Sequence, residues 1–73
     1  MSVADAQEQF LRKLYEFSKG KITPIDRYDV GKILKLPNDE TDAIVTELEA
    51  AGKIKKVAIT FIMLTLEGIN EMK

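Results

Sequence analysis

The sequence predicts a small α+β domain, mostly helical, with three helices, a short two-stranded β-hairpin and a short C-terminal helix. Three observations lead there. Apolar side chains recur at spacings of three and four over residues 3–18, which is the period of an amphipathic helix. Pro37 separates two further periodic segments by only a few residues. Two runs rich in β-branched and aromatic residues, Ile54 to Val57 and Phe61 to Thr65, then read as strands.

Each element has its own signals. In the first helix, within 1–19, Val3, Ala6, Phe10, Leu14 and Phe17 stack on one face; Ser2 or Asp5 caps the start and Gly20 stops it. Glu8 and Arg12 form an i,i+4 pair in the favourable orientation. The connector Gly20-Lys21-Ile22-Thr23-Pro24 has room for a short strand at Ile22 to Ile25. The second helix, within 24–35, starts either at Thr23-Pro24 or at Asp26, which with Asp29 resembles a capping box. Val30, Ile33 and Leu34 form its apolar face. Gly31 in its middle costs about 1 kcal/mol relative to alanine, a choice that a close helix–helix approach would explain. Pro37 disfavours helical geometry at Leu36 and so ends it.

A third helix covers 38–51, with Thr41, Ile44, Val45 and Leu48 inward and Gly52 as its stop. Two helices joined this tightly cross steeply, the helix-turn-helix arrangement. The hairpin occupies 54–65. Its link, Ala58 to Thr60, has no Gly, Asn or Asp and so lacks the usual turn chemistry. A last helix spans 66–72. All of this fits one domain, 1–73.

Two stretches carry a family resemblance. The first is Val30-Gly31-Lys32-Ile33-Leu34-Lys35-Leu36-Pro37 followed by Ile44-Val45 and Leu48-Glu49-Ala50-Ala51-Gly52-Lys53-Ile54, with a small residue where two helices meet and a Leu-x-x-x-Gly-x-Ile run into a strand. The second is Leu64-Thr65-Leu66-Glu67-Gly68, similar to the Leu-Thr-x-x-Gly that ends the second wing strand in many bacterial and archaeal regulators. In this order the chain resembles the winged helix-turn-helix superfamily over most of its length. The resemblance implies a nucleic-acid-binding module, tied to transcription regulation, that lays its third helix in the major groove of double-stranded DNA.

The charge pattern complicates that expectation. Net charge is −1, but residues 37–52 hold five acids and no base. Aligned on Leu36 and Leu48, the positions facing DNA would be Asn38, Asp39, Glu40, Asp42, Ala43 and Thr46. None is Lys or Arg, the residues that most often contact guanine, and carboxylates near phosphates repel. Asp39, Glu40 and Asp42 also suit the first turns of a helix, where each complements the dipole by roughly 0.3–1 kcal/mol without any partner. No further ligands are spaced to complete a divalent-metal site around them.

Two sets of candidate contacts follow. Phosphates would be met by Arg27, Tyr28, Lys32, Lys35, Lys53, Lys55 and Lys56, with Lys19 and Lys21 nearby, giving weak, salt-sensitive binding. Scattered lysines also serve solubility alone. A protein interface would instead use the acids Asp39, Glu40 and Asp42 with the apolar hairpin. Only one face of a two-stranded hairpin can lie on the core, so some of Ile59, Phe61 and Met63, or else Ala58 and Ile62, face outward. Either the C-terminal helix covers this face, or it is an exposed apolar patch of the kind that usually marks an interface, with a second copy in a homodimer or with another protein. The two readings, DNA-binding module and protein-interaction or dimerisation module without DNA binding, both stand on the sequence.

Other classes find no support. The chain has no His and no Cys, and Ser2 and Ser18 have no base in reach, so no enzyme site is expected. Gly20-Lys21-Ile22, Gly31-Lys32-Ile33 and Gly52-Lys53-Ile54 repeat a tripeptide but never complete a phosphate-binding loop, and no cofactor is expected. No apolar run approaches the roughly 20 residues of a membrane span. The first residues lack the basic and apolar regions of a signal peptide. A cytoplasmic location without a membrane partner is the expectation.

Overall fold

A computed structural model describes residues 3–73. Four helices and three strands follow one another as α1 (Val3–Ser18), β1 (Ile25–Asp26), α2 (Arg27–Ile33), α3 (Asn38–Ala50), β2 (Ile54–Lys56), β3 (Phe61–Leu64) and α4 (Leu66–Met72). The fold is α+β, small and mostly helical. The Ser2 cap and the side chain of Val3 lie outside what is described.

The helices enclose a single core. Phe10, Leu11 and Leu14 of α1 meet Val30 of α2, Ile44, Val45 and Leu48 of α3, and Ile54, Ile62, Leu64 and Ile69. Thr41, Ile44, Val45 and Leu48 are all buried on α3, as the period of three and four requires. Gly31 is buried where α2 meets α3, and a Cβ built on it would collide with Thr41 Oγ1. The close approach of α2 and α3 is thus the reason for this glycine.

All three of these helices end in the same hydrogen-bonded motif, in which a left-handed residue after the helix closes its last carbonyls. After α3, Gly52 (φ 78°) donates to Glu49 O and Lys53 donates to Leu48 O. After α1 both Lys19 (φ 56°) and the expected Gly20 (φ 73°) are left-handed. Gly20 donates to Tyr15 O and Lys19 to Glu16 O. After α2 it belongs to Lys35 (φ 59°), with Leu36 donating to Gly31 O at 2.8 Å. This shortens α2 relative to the expected 24–35. At its other end Asp26 accepts from Tyr28 N at 3.0 Å, so α2 starts at Arg27 and not at Pro24.

The sheet corrects the two-stranded expectation. Its order is β1-β3-β2, antiparallel throughout, with Ile25 opposite Ile62 and Asp26 opposite Phe61 on one side of β3. On the other side Ile54, Lys55 and Lys56 face Leu64, Met63 and Ile62. The strand foreseen at Ile22 to Ile25 is therefore shifted to Ile25–Asp26, where pairing with β3 fixes it. The link 57–60 closes with Val57 donating to Phe61 O at 3.0 Å, and no residue in it has a positive φ. That is why it needs neither Gly nor Asn.

Thr65 joins the end of the sheet to α4. Its hydroxyl donates to Gly52 O at 2.6 Å and accepts from Gly68 N at 3.1 Å, capping the helix. Gly68 lies on the carbonyl of Lys53, where a Cβ would collide with backbone. The Leu-Thr-x-x-Gly sequence is thus spent on fastening α4 across the α3–β2 junction.

Candidate functional site

Arg27 and Tyr28 open α2 and both reach Asp42 on α3. Arg27 is only 7% exposed. Its Nη1 lies 3.2 Å from Asp42 Oδ1, and its Nε donates to Thr60 O at 3.3 Å. Thr60 O also accepts from Arg27 N at 3.0 Å. The Tyr28 hydroxyl donates to the same Asp42 oxygen at 2.8 Å. One guanidinium and one phenol thus tie α2, α3 and the hairpin link into a single unit. The hydrogen bond to the Asp42 carboxylate, followed by partial burial and the carboxylate's charge, holds the Tyr28 phenol above its ordinary pKa, against the opposing Arg27 charge.

This changes both candidate sets. Arg27, expected to be free for phosphate, is instead buried, with its guanidinium engaged by Asp42 and the Thr60 carbonyl. Asp42 is half-buried and occupied by α2, so it is not the free carboxylate that a protein interface would use, and Tyr28 is engaged with it. Lys53 Nζ lies 2.6 Å from Glu71 Oε2, and Lys56 Nζ lies 3.5 Å from Glu49 Oε1. Lys35 and Lys19 sit in the left-handed positions that close α2 and α1, where a cation complements the helix dipole. Of the seven candidates for phosphate, Lys32, Lys35 and Lys55 are the ones whose side chains have no acidic partner among the described residues.

The outer surface of α3 is acidic. Asp39, Glu40, Glu47 and Glu49 are exposed on it, with Ala43 and Thr46 between them. The Thr46 hydroxyl donates back to Asp42 O at 3.0 Å. Among the described residues no group of three His, Cys, Asp or Glu side chains could hold a metal ion. Nor is any helix long and apolar enough to cross a membrane.

An apolar surface lies elsewhere. Ile62 and Leu64 turn into the core, so Phe61 turns outward at 43% exposure and Met63 is half-buried on the same side. Ile59 in the link is 95% exposed. Of the two sets, Ile59 and Phe61 are exposed and Met63 is half-buried, while in the other Ile62 is buried and Ala58 is exposed. Phe61 also borders an open groove of about 690 Å³ with Phe17, Pro24, Ile25 and Ile33, and Asp26, Asp29 and Lys32 stand on its rim.

Ile33 is the residue that sequence reasoning misplaced. It was expected in the core, but α2 ends there and leaves it 52% exposed. The groove itself went unforeseen, because its walls come from α1, the β1 connector, α2 and β3. No periodicity in one segment signals such a convergence. Comparison with known proteins returns no matching family model, no matching curated protein and no matching solved structure.

Proposed function

We propose that this chain is a winged helix-turn-helix module, non-enzymatic, that docks on protein and not on the major groove of DNA. In this reading α2 and α3 are the helix-turn-helix pair, β2 and β3 with their link are the wing, and β1 extends the wing sheet. The observation that carries it is the surface of α3. The helix that would enter the groove carries no base and presents Asp39, Glu40 and Glu47, with Glu49 beside them held by Lys56. Phosphate approach there is repulsive, increasingly so as water is excluded. Apolar surface at Ile59, Phe61 and the neighbouring groove supplies the area that a protein contact needs.

The DNA-binding reading, with a role in transcription regulation, rests on Lys32, Lys35 and Lys55. Fluorescence anisotropy with a generic labelled duplex, at low and at physiological salt, separates the two. No binding at low salt is the expected result. Micromolar binding that falls steeply with salt would overturn the protein-docking reading, since that slope measures phosphate contacts.

A further inference from the structure

The geometry points to a second copy of this chain as the occupant of the Phe17–Ile33–Phe61 groove, in a two-fold dimer built around α2. The inference rests on the protein-docking reading above and names the partner. Three observations on α2 carry it.

First, Asp29, Lys32 and Ile33 all border the groove. Their spacing of three and four places them together on one helix face. Second, neither charge has an ion-pair partner among the described residues, whereas Arg12, Lys13, Arg27, Lys53 and Lys56 all do. Third, the groove they border is apolar, and Ile33 stands beside it half-exposed.

A two-fold axis makes such a surface self-complementary, because each contact between residues i and j occurs twice. With the two α2 helices antiparallel across the axis, Lys32 of each copy faces Asp29 of the other. Ile33 of each then enters the opposite groove against Phe17 and Phe61. Asp29 and Lys32, one acid and one base a helical turn apart, suit this arrangement, while Asp26, the other acid on the groove, already accepts from Tyr28 N at the start of α2. The pair suits a uniformly basic or acidic partner less, since one of the two charges would then be opposed.

The test is sedimentation over about 1 μM to about 1 mM, the range in which weak complexes form. The unchanged protein is expected to shift from monomer to dimer within it. Asp29→Lys and Lys32→Glu each place like charges opposite one another twice, and each should weaken the dimer about tenfold or more. Mixing the two variants should restore association as a heterodimer, because every cross-axis pair is then of opposite sign. Both sites are exposed, so circular dichroism should match that of the parent, and the urea midpoint should fall only slightly, since each swap reverses a charge that complements the α2 dipole. Phe61→Lys should abolish the dimer with the fold retained. A parent that stays monomeric at the highest concentration overturns the inference, as does a dimer that neither swap weakens. Neither result touches the docking reading itself, which the duplex titration decides separately.

Discussion

Gly31 on α2 is packed against Thr41 on α3 with no room for a side chain, and the Thr41 hydroxyl it touches is buried without a hydrogen-bond partner. The contact sets the separation of the two helices. It also leaves a polar atom where an apolar one would cost less.

Replacing Gly31 by alanine should therefore destabilise the fold despite the gain of about 1 kcal/mol in helix propensity. Forcing a methyl group into a packed contact costs typically 1–3 kcal/mol, leaving a net loss of about 1 kcal/mol. Thr41→Ala opens the space that the methyl group needs, so the double variant should be more stable than the sum of the two singles predicts. Urea unfolding of all four proteins measures this. Strict additivity would mean that the two residues do not touch. Thr41→Val keeps the shape and removes the unpaired hydroxyl, and should stabilise by about 1 kcal/mol.

Arg27 and Asp42 should respond unequally to removal. The Arg27 side chain is 9% exposed and the Asp42 side chain 47%. Asp42→Ala leaves the guanidinium buried with only the Thr60 carbonyl, and should cost about 1–3 kcal/mol, the range for a buried group that loses its partner. Arg27→Met removes the charge itself. Thr60 O keeps its bond from the Arg27 position's backbone, and Asp42 keeps the Tyr28 hydroxyl. Its cost should be below about 1 kcal/mol. Equal losses on denaturant unfolding would refute the asymmetry.

How far this site was legible depends on what each residue needs to be recognised. Thr41, Ile44, Val45 and Leu48 declared themselves by period alone, and Gly52 by its conformational freedom. Arg27 did not, since a buried arginine and a surface arginine look alike until the carbonyl and carboxylate that hold it are known. β1 was hidden for a related reason. Two residues carry no period, and only their pairing with Phe61 and Ile62, far along the chain, makes them a strand. Ile33 lies three residues after the buried Val30 and yet is exposed, while Leu34 beside it packs on the core, and a spacing of three or four does not tell the two apart.

The lysines in left-handed positions after α1 and α2 can be tested by substitution. A non-glycine residue in left-handed geometry carries a steric penalty of roughly 1–2 kcal/mol, partly offset by its smaller entropy loss on folding. Lys35→Gly and Lys19→Gly should each stabilise by about 0.5 kcal/mol once the lost charge at the helix end is counted. Gly52→Ala should do the opposite, costing about 1 kcal/mol, because φ there is 78°. Thermal unfolding of the three variants checks the signs. A loss of stability at Lys35 would indicate that its charge at the end of α2 outweighs the backbone penalty.

Tyr28 gives a pH readout of the α2–α3 clamp. Its phenol is held above the ordinary value by the bond to Asp42, so the folded state retains the proton more tightly than the unfolded chain does. The stability this contributes is fully present below the unfolded value near 10. It is lost as pH rises from there through the raised folded value. In a Tyr15→Phe background, where Tyr28 is the one remaining phenol, ultraviolet titration should place its midpoint above the ordinary value. Asp42→Ala should bring that midpoint back down. A midpoint that does not move when Asp42 is removed would mean that the hydroxyl points to solvent, and the clamp would then rest on Arg27 alone.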